Sequence, residues 1–325
     1  MDNLTNLKAE LQTRFSSVLP KQGHELHEIA KFHFKDFGKL IRGSSALAIS
    51  NAVNLNFEAS INWALSVELL HNASLVHDDV CDKDSHRRHH LTVFAEFGSP
   101  LAICFGDWLV AKSFEHAVIS INKADKKSND AIILLSSVMA DLSKGQAREF
   151  IGEPVLDWDS YSNLVNGKTT PLLAAAIEGP FLLAEADDHL DDIRNIIQAL
   201  GMSYQISNDI LDVLGKDGSS MAFNDLMRKA PNAVSITYRN KLKNGHKINF
   251  DKWMNNINLD SSINWSKEIK NNGALESCIR KLNHYLQISH HYRSKLPDAL
   301  QDALLPIVTY LESTSKDMCP SYKKL

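Results

Sequence analysis

The sequence predicts an all-α fold, a single helical bundle of about a dozen helices. The 325 residues contain only 14 glycines and 9 prolines, about half their average usage, and neither residue is favoured inside a helix. Apolar residues recur at spacings of three and four along most of the chain, as on one face of a helix. No segment of useful length alternates polar and apolar residues, which argues against a sheet.

Breaking residues and apolar spacing place the predicted helices in order. The first helix ends before Pro20, and its apolar stripe consists of Leu4, Leu7, Leu11, Phe15 and Val18. The second, over residues 41–56, is rich in alanine, serine and isoleucine. The third, over residues 57–83, contains no glycine or proline and passes from an apolar body into an acidic end. Another helix is predicted after Pro231, and the rest over residues 100–121, 129–151, 172–186, 190–214, 273–293 and 297–313. The last of these is expected to be kinked or split at Pro306.

Composition indicates one domain and excludes several classes of protein. No low-complexity linker divides the chain, so we predict one domain over residues 1–313 and a polar tail over residues 314–325. The formal net charge of −4, without a basic stripe, argues against nucleic acid as a partner. The four cysteines have no C-x-x-C spacing, and no apolar core of a signal peptide opens the chain, so a cytoplasmic location is expected. No apolar run approaches the length of a membrane span, and none is expected.

The third predicted helix ends in three carboxylates, the first acidic cluster. Asp78 and Asp82 are one helical turn apart on nearly the same face, with Asp79 beside them. Carboxylates this close repel one another unless a cation lies between them, and hard oxygen ligands suit Mg²⁺, which commonly bridges to substrate phosphates. Arg87 and Arg88 follow within reach of a phosphate held by that metal. The segment therefore predicts a magnesium and phosphate site.

A second acidic cluster, Asn208, Asp209 and Asp212, ends another apolar helix at spacings that allow all three side chains to converge. Two such helix ends across one cavity would hold Mg²⁺ ions and a diphosphate, whereas a capped helix terminus is the structural alternative. The spacing alone is not specific, because it recurs without an arginine pair at Asp187, Asp188 and Asp191. We expect this third cluster to lie on the surface, before a helix whose N-terminal dipole favours carboxylates.

Further short elements accompany the acidic clusters. Before the first cluster stand Gly38-Lys39 with Arg42, and His71. After it come Gly106-Asp107 with Leu109 and Ala111, Gly145-Gln146, Gly167-Lys168-Thr169, and Gln205 ahead of the second cluster. Each element is weak by itself. Together, in this order and over residues 37–238, they resemble the trans-type (head-to-tail) isoprenyl diphosphate synthases, the polyprenyl synthetase family.

The resemblance implies a helical bundle around a central cavity and a Mg²⁺-dependent prenyl transfer. An allylic diphosphate would lose its diphosphate, the double bond of isopentenyl diphosphate would attack the resulting carbocation, and a proton would then be lost. No side-chain nucleophile is required, and none is evident in the sequence. About three Mg²⁺ ions per site are implied, with the ligands Asp78, Asp79, Asp82, Asn208, Asp209 and Asp212.

The resemblance also implies roles for basic and polar residues. The residues expected to bind the diphosphate of the homoallylic substrate are Lys39, Arg42 and His71. Those expected to bind the allylic diphosphate are Arg87, Arg88 and Lys168. The expected catalytic residues are Lys168, Thr169 and Gln205, of which Thr169 would face the forming carbocation.

Small residues near the first acidic cluster bear on product length. Ala73 and Ser74 lie about one turn before Asp78, where the resemblance implies that bulky aromatic residues stop growth at fifteen carbons. Because both residues are small, a product of twenty carbons or more is expected. Phe105 and Trp108, on the next helix, would form a deeper floor, and an ordinary core role is the alternative for this pair.

The second half of the pattern departs from the family. Asn208 stands where the family has its first aspartate, which weakens the expected metal site because an amide brings no charge. Residues 225–232, DLMRKAPN, stand where the family has D-L-x-x-G-K-x-T-x-P. The glycine is absent and Lys229 comes one place early, so Lys216 or Lys229 would have to reach a phosphate. Smaller departures are Gly43 for a proline and Glu149 for an aspartate.

Three functions therefore stay open. The first is an active chain-elongating synthase, which the intact first cluster and the Lys168-Thr169 pair favour. The second is a family member with altered coupling or cyclising chemistry, and the third is a weakly active or regulatory subunit of a heteromeric synthase. By resemblance we expect a homodimer, with an interface on the apolar helix around residues 101–118, or else a heteromer.

Overall fold

The computed structural model describes residues 2–87, 90–151, 157–216, 222–255 and 264–318. Within them lie fifteen helices and one antiparallel two-stranded sheet of β1 (His86–Arg87) and β2 (His90–Leu91). The helices are α1 (Asp2–Val18), α2 (His27–His33), α3 (Ile41–Ala52), α4 (Phe57–Asp82), α5 (Val93–Lys123), α6 (Asp130–Ile151), α7 (Trp158–Lys168), α8 (Thr170–Ala184), α9 (Leu190–Leu214), α10 (Asn224–Met227), α11 (Ala233–Lys241), α12 (Asn244–Met254), α13 (Trp265–Asn271), α14 (Ala274–Arg293) and α15 (Asp298–Met318). The predicted all-α fold class is confirmed.

Helix α4 is the central element of the bundle, and α3, α5 and α8 pack against it. Residues 59–70 are buried without exception, so this helix presents no solvent-facing stripe along its body. Trp63 is completely buried, and its indole Nε1 donates to the backbone oxygen of Ala175 on α8 at 2.9 Å. Gly179 gives this ring its space, because a Cβ at that position would lie 2.3 Å from it.

Small polar side chains join α4 to α5. The hydroxyl of Ser113 donates to the backbone oxygen of Ser66 at 2.8 Å, and that of Ser120 donates to Ala59 at 2.7 Å. His116 is also buried at this contact, with Nδ1 2.8 Å from the amide oxygen of Asn62. Because these polar groups are satisfied across the interface, they can be buried at little cost.

Several helix boundaries differ from the prediction. Five helices that no predicted range covers raise the number above the expected dozen: α2, α7, α10, α12 and α13. Helix α15 is not split at Pro306 and continues to Met318, five residues beyond the expected end. Its apolar face explains this extension, because Leu311, Ser315 and Met318 are all buried. Near the start of α5, Gly98 has a φ of 80° and interrupts the helix shortly before the predicted start at Pro100.

Helix α5 is long and apolar enough to cross a membrane, judged by length and composition alone. Its most apolar 18-residue window has a mean hydropathy of 1.3, and 28% of that window is buried in the fold. The buried side packs on α4, whereas Leu101, Ile103 and Val118 are exposed. Part of this apolar surface is therefore available for a further contact, and the expected absence of a membrane span stays a prediction.

Candidate active site

The acidic ends of α4 and α9 meet across a loop that follows α9, described over residues 222–232. Helix α4 ends at Asp82, and the left-handed conformation of the following Lys83 (φ 55°) turns the chain away. Beyond α9, the backbone N–H of Asp225 donates to the carboxylate of Asp212 at 3.3 Å. Three residues later, a guanidinium nitrogen of Arg228 lies 2.7 Å from the carboxylate of Asp82. The loop is thus held at one acidic helix end and reaches the other.

Arg87, on β1, is directed toward the first acidic cluster by Asp79. Its Nε and Nη2 donate to Oδ1 of Asp79 at 2.9 and 2.7 Å. Burial raises the pKa of the Asp79 carboxyl to about 6, while the positive charge of Arg87 acts in the opposite direction. The pair places a guanidinium beside the cluster, in a position suited to a phosphate. Arg88 lies outside the described residues.

Arg228 is a site residue that sequence reasoning missed. Besides its contact with Asp82, it forms an ion pair with Asp84 at 3.1 Å. The second oxygen of Asp82 accepts from the amide of Gln146, on α6, at 3.3 Å. The signal in the sequence was the absence of the family's Gly-Lys pair from this segment. The neighbouring Lys229 does not replace that lysine, because it has a φ of 58° and extends its ammonium over the Trp253 ring at 4.7 Å.

Lys168, at the end of α7, lies at the same site. Its ammonium forms hydrogen bonds to both carboxylate oxygens of Glu149 at 2.9 and 3.0 Å. Glu149, which stands in place of the family's aspartate, is thus the partner of Lys168. Burial raises the pKa of Asp78, and the positive charges of Lys168 and Arg87 oppose that rise. Elements from α4, α6 and α7 therefore bring cations and carboxylates together.

Asp209 faces the protein core and is the end of a hydrogen-bond network. It is 1% exposed and accepts from the Tyr161 hydroxyl at 2.7 Å and from the backbone N–H of Ala233 at 2.7 Å. The amide of Gln205 also donates to it at 2.8 Å, and the Thr169 hydroxyl donates to Gln205 at 2.6 Å. Metal ligation by Asp209 stays a prediction that would require exchange of these bonds, whereas its present contacts fix Gln205 and Thr169.

A separate basic group lies where α3 meets α4. Nη1 of Arg42 is 3.1 Å from Nε2 of His71, and its guanidinium lies 5.4 Å from the centre of the Tyr204 ring. Lys39 contacts the hydroxyl of Tyr310, on α15, at 3.0 Å. The structure thus brings together Arg42 and His71, two of the three predicted ligands of the homoallylic diphosphate.

The neighbouring Gly43 explains another departure from the family pattern. Its backbone N–H donates to Oε1 of the buried Glu68 at 2.7 Å, a bond that a proline could not make. A Cβ at this position would also lie 2.7 Å from both Glu68 and Leu11. Glycine is therefore required by close packing of α1, α3 and α4.

Two small residues and an aromatic pair were predicted to bear on product length. Ala73 is buried, and the Ser74 hydroxyl donates to the backbone of its own helix. Phe105 and Trp108 stack with ring centres 6.4 Å apart and planes 10° apart. His33, on α2, lies 5.7 Å from Phe105. Both the floor and the core interpretation of the aromatic pair agree with these contacts.

The residues of the site fit magnesium. Within the residues that the structure describes, no three histidine, cysteine, aspartate or glutamate side chains form a metal site by themselves. Mg²⁺ does not need such a cage, because it usually takes one or two carboxylates together with phosphate oxygens and water. Asp78 and Asp82, one turn apart at the end of α4, offer such a pair, and Asn208 and Asp212 offer oxygens from α9.

The third cluster provides a contrast. Asp187, Asp188 and Asp191 are exposed, and Asp191 forms a long ion pair of 3.9 Å with Arg194 in its own helix. The prediction that this cluster lies on the surface is confirmed. Lys216, considered as a phosphate ligand, is also exposed at the end of α9.

Comparison with known proteins agrees with this geometry. A short chain isoprenyl diphosphate synthase of Methanocaldococcus jannaschii is 31% identical over 182 residues, which cover 55% of this chain and 54% of the relative. A geranylgeranyl diphosphate synthase of Saccharolobus solfataricus is 33% identical over 202 residues, 61% of each chain. The chain thus spans between half and two thirds of the length of these relatives.

A solved structure shows the same fold over nearly the whole chain. The polyprenyl synthase of Caulobacter crescentus, crystallised with calcium and isoprenyl diphosphate, has a TM-score of 0.83 at 20% identity and covers 96% of this chain and 97% of its own. The sequence profile of the polyprenyl synthetase family matches residues 24–261, which include both acidic clusters and all the basic elements. The chain belongs to the polyprenyl synthetase family.

Proposed function

We propose that this chain is a Mg²⁺-dependent trans-prenyltransferase that condenses isopentenyl diphosphate with an allylic diphosphate into a longer trans-prenyl diphosphate. The observation that carries the proposal is the convergence of carboxylates and cations at one site. Asp78, Asp82, Arg87 and Lys168 come from three separate elements and lie together beside the Thr169–Gln205 hydrogen bond. A site of this composition suits an anionic leaving group that must be held and neutralised.

The proposed reaction begins with departure of the allylic diphosphate. Bound Mg²⁺ would supply positive charge to the leaving group. Arg87 and Lys168 would donate hydrogen bonds to the same diphosphate, while Arg42 and His71 would hold isopentenyl diphosphate with its double bond toward the allylic carbon. That double bond attacks as the allylic carbon–oxygen bond breaks. The proton lost from the coupled carbocation passes to the departing diphosphate.

The Thr169 hydroxyl is suited to a developing positive charge. Its proton is directed to Gln205, so its oxygen presents lone pairs rather than a donor to the cavity. Gln205 is held in this orientation because its amide donates to Asp209. This role makes Thr169 a catalytic residue of the proposed reaction and Asp209 a positioning residue.

We further propose a product of at least twenty carbons and a homodimer. The small side chains of Ala73 and Ser74 support the longer product.

The exposed apolar side of α5, with Leu101, Ile103 and Val118, supports a second copy of this chain as partner. The substitution Ile103→Lys should convert a dimer to monomers in sedimentation experiments, and a native chain that sediments as a monomer would contradict the proposed homodimer.

The function is tested by product analysis. The purified protein is incubated with Mg²⁺, isopentenyl diphosphate and allylic primers of five, ten, fifteen or twenty carbons, and products are identified by mass spectrometry. We expect elongated prenyl diphosphates of twenty carbons or more. Absence of an elongated product from every primer would contradict the proposed activity and favour a cyclising or regulatory role. A product of only fifteen carbons would contradict the argument from Ala73 and Ser74 alone.

A further inference from the structure

Arg228 lies at the first of the two acidic clusters that the proposed function assigns to Mg²⁺, on the loop that follows the second. It forms ion pairs with Asp82 at 2.7 Å and with Asp84 at 3.1 Å. Its side chain is 31% exposed, while those of the two aspartates are 15% and 25% exposed. A guanidinium in this position is a permanent positive charge at the metal-binding end of α4, because arginine is not deprotonated in proteins.

The loop that carries Arg228 is fixed to the end of α9. The amide of Asn232 donates to the carboxylate of Asp225 at 3.0 Å and to the backbone oxygen of Asp209 at 3.2 Å. Asp225 is itself bonded to Asp212 through its backbone N–H. Arg228 is therefore positioned by the second acidic cluster while its charge is placed at the first.

The other basic side chain of this loop is directed elsewhere. Lys229 adopts a φ of 58°, in the left-handed region that favours glycine, and its ammonium lies over Trp253. This backbone conformation fits the position at which the family pattern has its glycine. The lysine that follows this glycine in the pattern is replaced by Ala230. Arg228 is thus the cation that this loop supplies to the acidic site.

Two changes of charge accompany each other at this site. Asn208 removes one negative charge from the second acidic cluster, and Arg228 adds one positive charge where the family pattern specifies no particular residue. Relative to an aspartate and a neutral residue, the pair raises the local charge by two units. That amount equals the charge of one divalent cation.

We infer that the Arg228 guanidinium takes the place of one Mg²⁺, so that this site binds a diphosphate with two Mg²⁺ ions rather than three. The inference rests on the proposed function, since it concerns the same diphosphate site. When a diphosphate enters, Arg228 is within the site to donate to its oxygens, and the planar guanidinium is suited to two parallel hydrogen bonds. Asn208 then has no full charge to hold a third ion.

The inference is tested by counting metal ions with inorganic pyrophosphate as the probe. Bound Mg²⁺ per chain is measured by equilibrium dialysis and elemental analysis at saturating pyrophosphate, for the native protein and for the double variant Asn208→Asp/Arg228→Gln. We expect two ions per native chain and three per chain of the double variant. The charge-conserving variant Arg228→Lys should retain two Mg²⁺ ions, because a lysine still supplies one positive charge to the bound pyrophosphate.

Matched controls separate charge from folding. Arg194 lies near the start of α9, at the opposite end from the second acidic cluster, and pairs with Glu178 at 2.6 Å. The control variant Arg194→Gln should therefore leave the number of bound Mg²⁺ ions unchanged. Circular dichroism establishes that each variant is folded, and if the double variant does not fold, Arg228→Lys and the native count decide. Three ions on the native chain, or two on the folded double variant, would overturn the inference while leaving the proposed function intact. Failure of the native chain to bind pyrophosphate with Mg²⁺ would contradict both.

Discussion

At the scale of single residues, adjacent positions on one helix have different environments. Asn208 and Asp209 are neighbours at the end of α9, yet Asp209 is buried with three donors on its carboxylate. Burial and the nearby Asp225 raise its pKa, whereas the hydrogen bonds to its carboxylate favour the ionised form. The aspartate pattern identified this helix end correctly, but burial, which decides what each side chain contacts, depends on residues from distant helices.

The first prediction concerns the substitution Asp209→Asn. The amide group would place a second donor against Tyr161, Ala233 or Gln205, so a buried polar pair would be left unsatisfied. We expect a loss of about 1–3 kcal/mol in the free energy of unfolding, measured in urea. The exposed Asp191→Asn serves as the control and should change stability by less than about 0.5 kcal/mol. Unchanged stability with a higher Mg²⁺ requirement would instead identify Asp209 as a metal ligand.

At the scale of elements, the bundle depends on close approach of long helices. Scarce glycine and proline predicted those helices, and most of them are present with their expected centres. Their partners could not be predicted, because the contact of Trp63 with Gly179 joins positions more than a hundred residues apart. The same limit applies to Arg228, which acts at the site only because its loop packs on α9 and reaches α4.

The second prediction tests the contact of α4 with α8. In Gly179→Ala the added methyl group would lie 2.3–2.4 Å from three atoms of the buried Trp63 ring, so one of the two helices must shift. Such overpacking should lower the free energy of unfolding by about 1–3 kcal/mol. Gly245→Ala is the matched control, because nothing lies within 4 Å of its added carbon. Equal stability of the two variants would show that the ring is not tightly held.

The third prediction concerns pH and the contact of α4 with α5. Burial lowers the pKa of His116 from its ordinary value of 6.5. Below pH 6.5 the unfolded chain therefore binds a proton that the folded chain resists, so stability falls as the pH falls. At higher pH the ring is neutral in both states and this contribution vanishes.

The substitution His116→Gln removes that titration and retains a donor for Asn62. The melting temperature of the native protein should therefore fall relative to that of the variant as the pH is lowered from 7.5 to 5. The difference between the two proteins isolates His116 from the other histidines. A difference that is constant over this range would mean that His116 has an ordinary pKa in the folded state.

At the scale of the whole molecule, three acidic clusters with similar spacing lie in different environments. Asp78 and Asp82 end a buried central helix beside Arg87 and Lys168, whereas Asp187 lies exposed before α9. The flanking sequence predicted this difference, because no arginine pair follows the surface cluster. Local charge spacing thus proposes a site, and burial together with the convergence of other elements distinguishes a functional cluster from a surface one.

The most direct measurement compares paired aspartate variants of these two clusters. Product formation from isopentenyl diphosphate and an allylic diphosphate is measured for Asp78→Asn/Asp82→Asn and for Asp187→Asn/Asp191→Asn, each alongside the native protein. If α4 holds the metal and diphosphate, the first variant should lose activity on the order of a hundredfold or more, and the second should retain the native rate. Equal activity of the two variants, with the native protein active, would contradict the assignment of the reaction to the first acidic cluster.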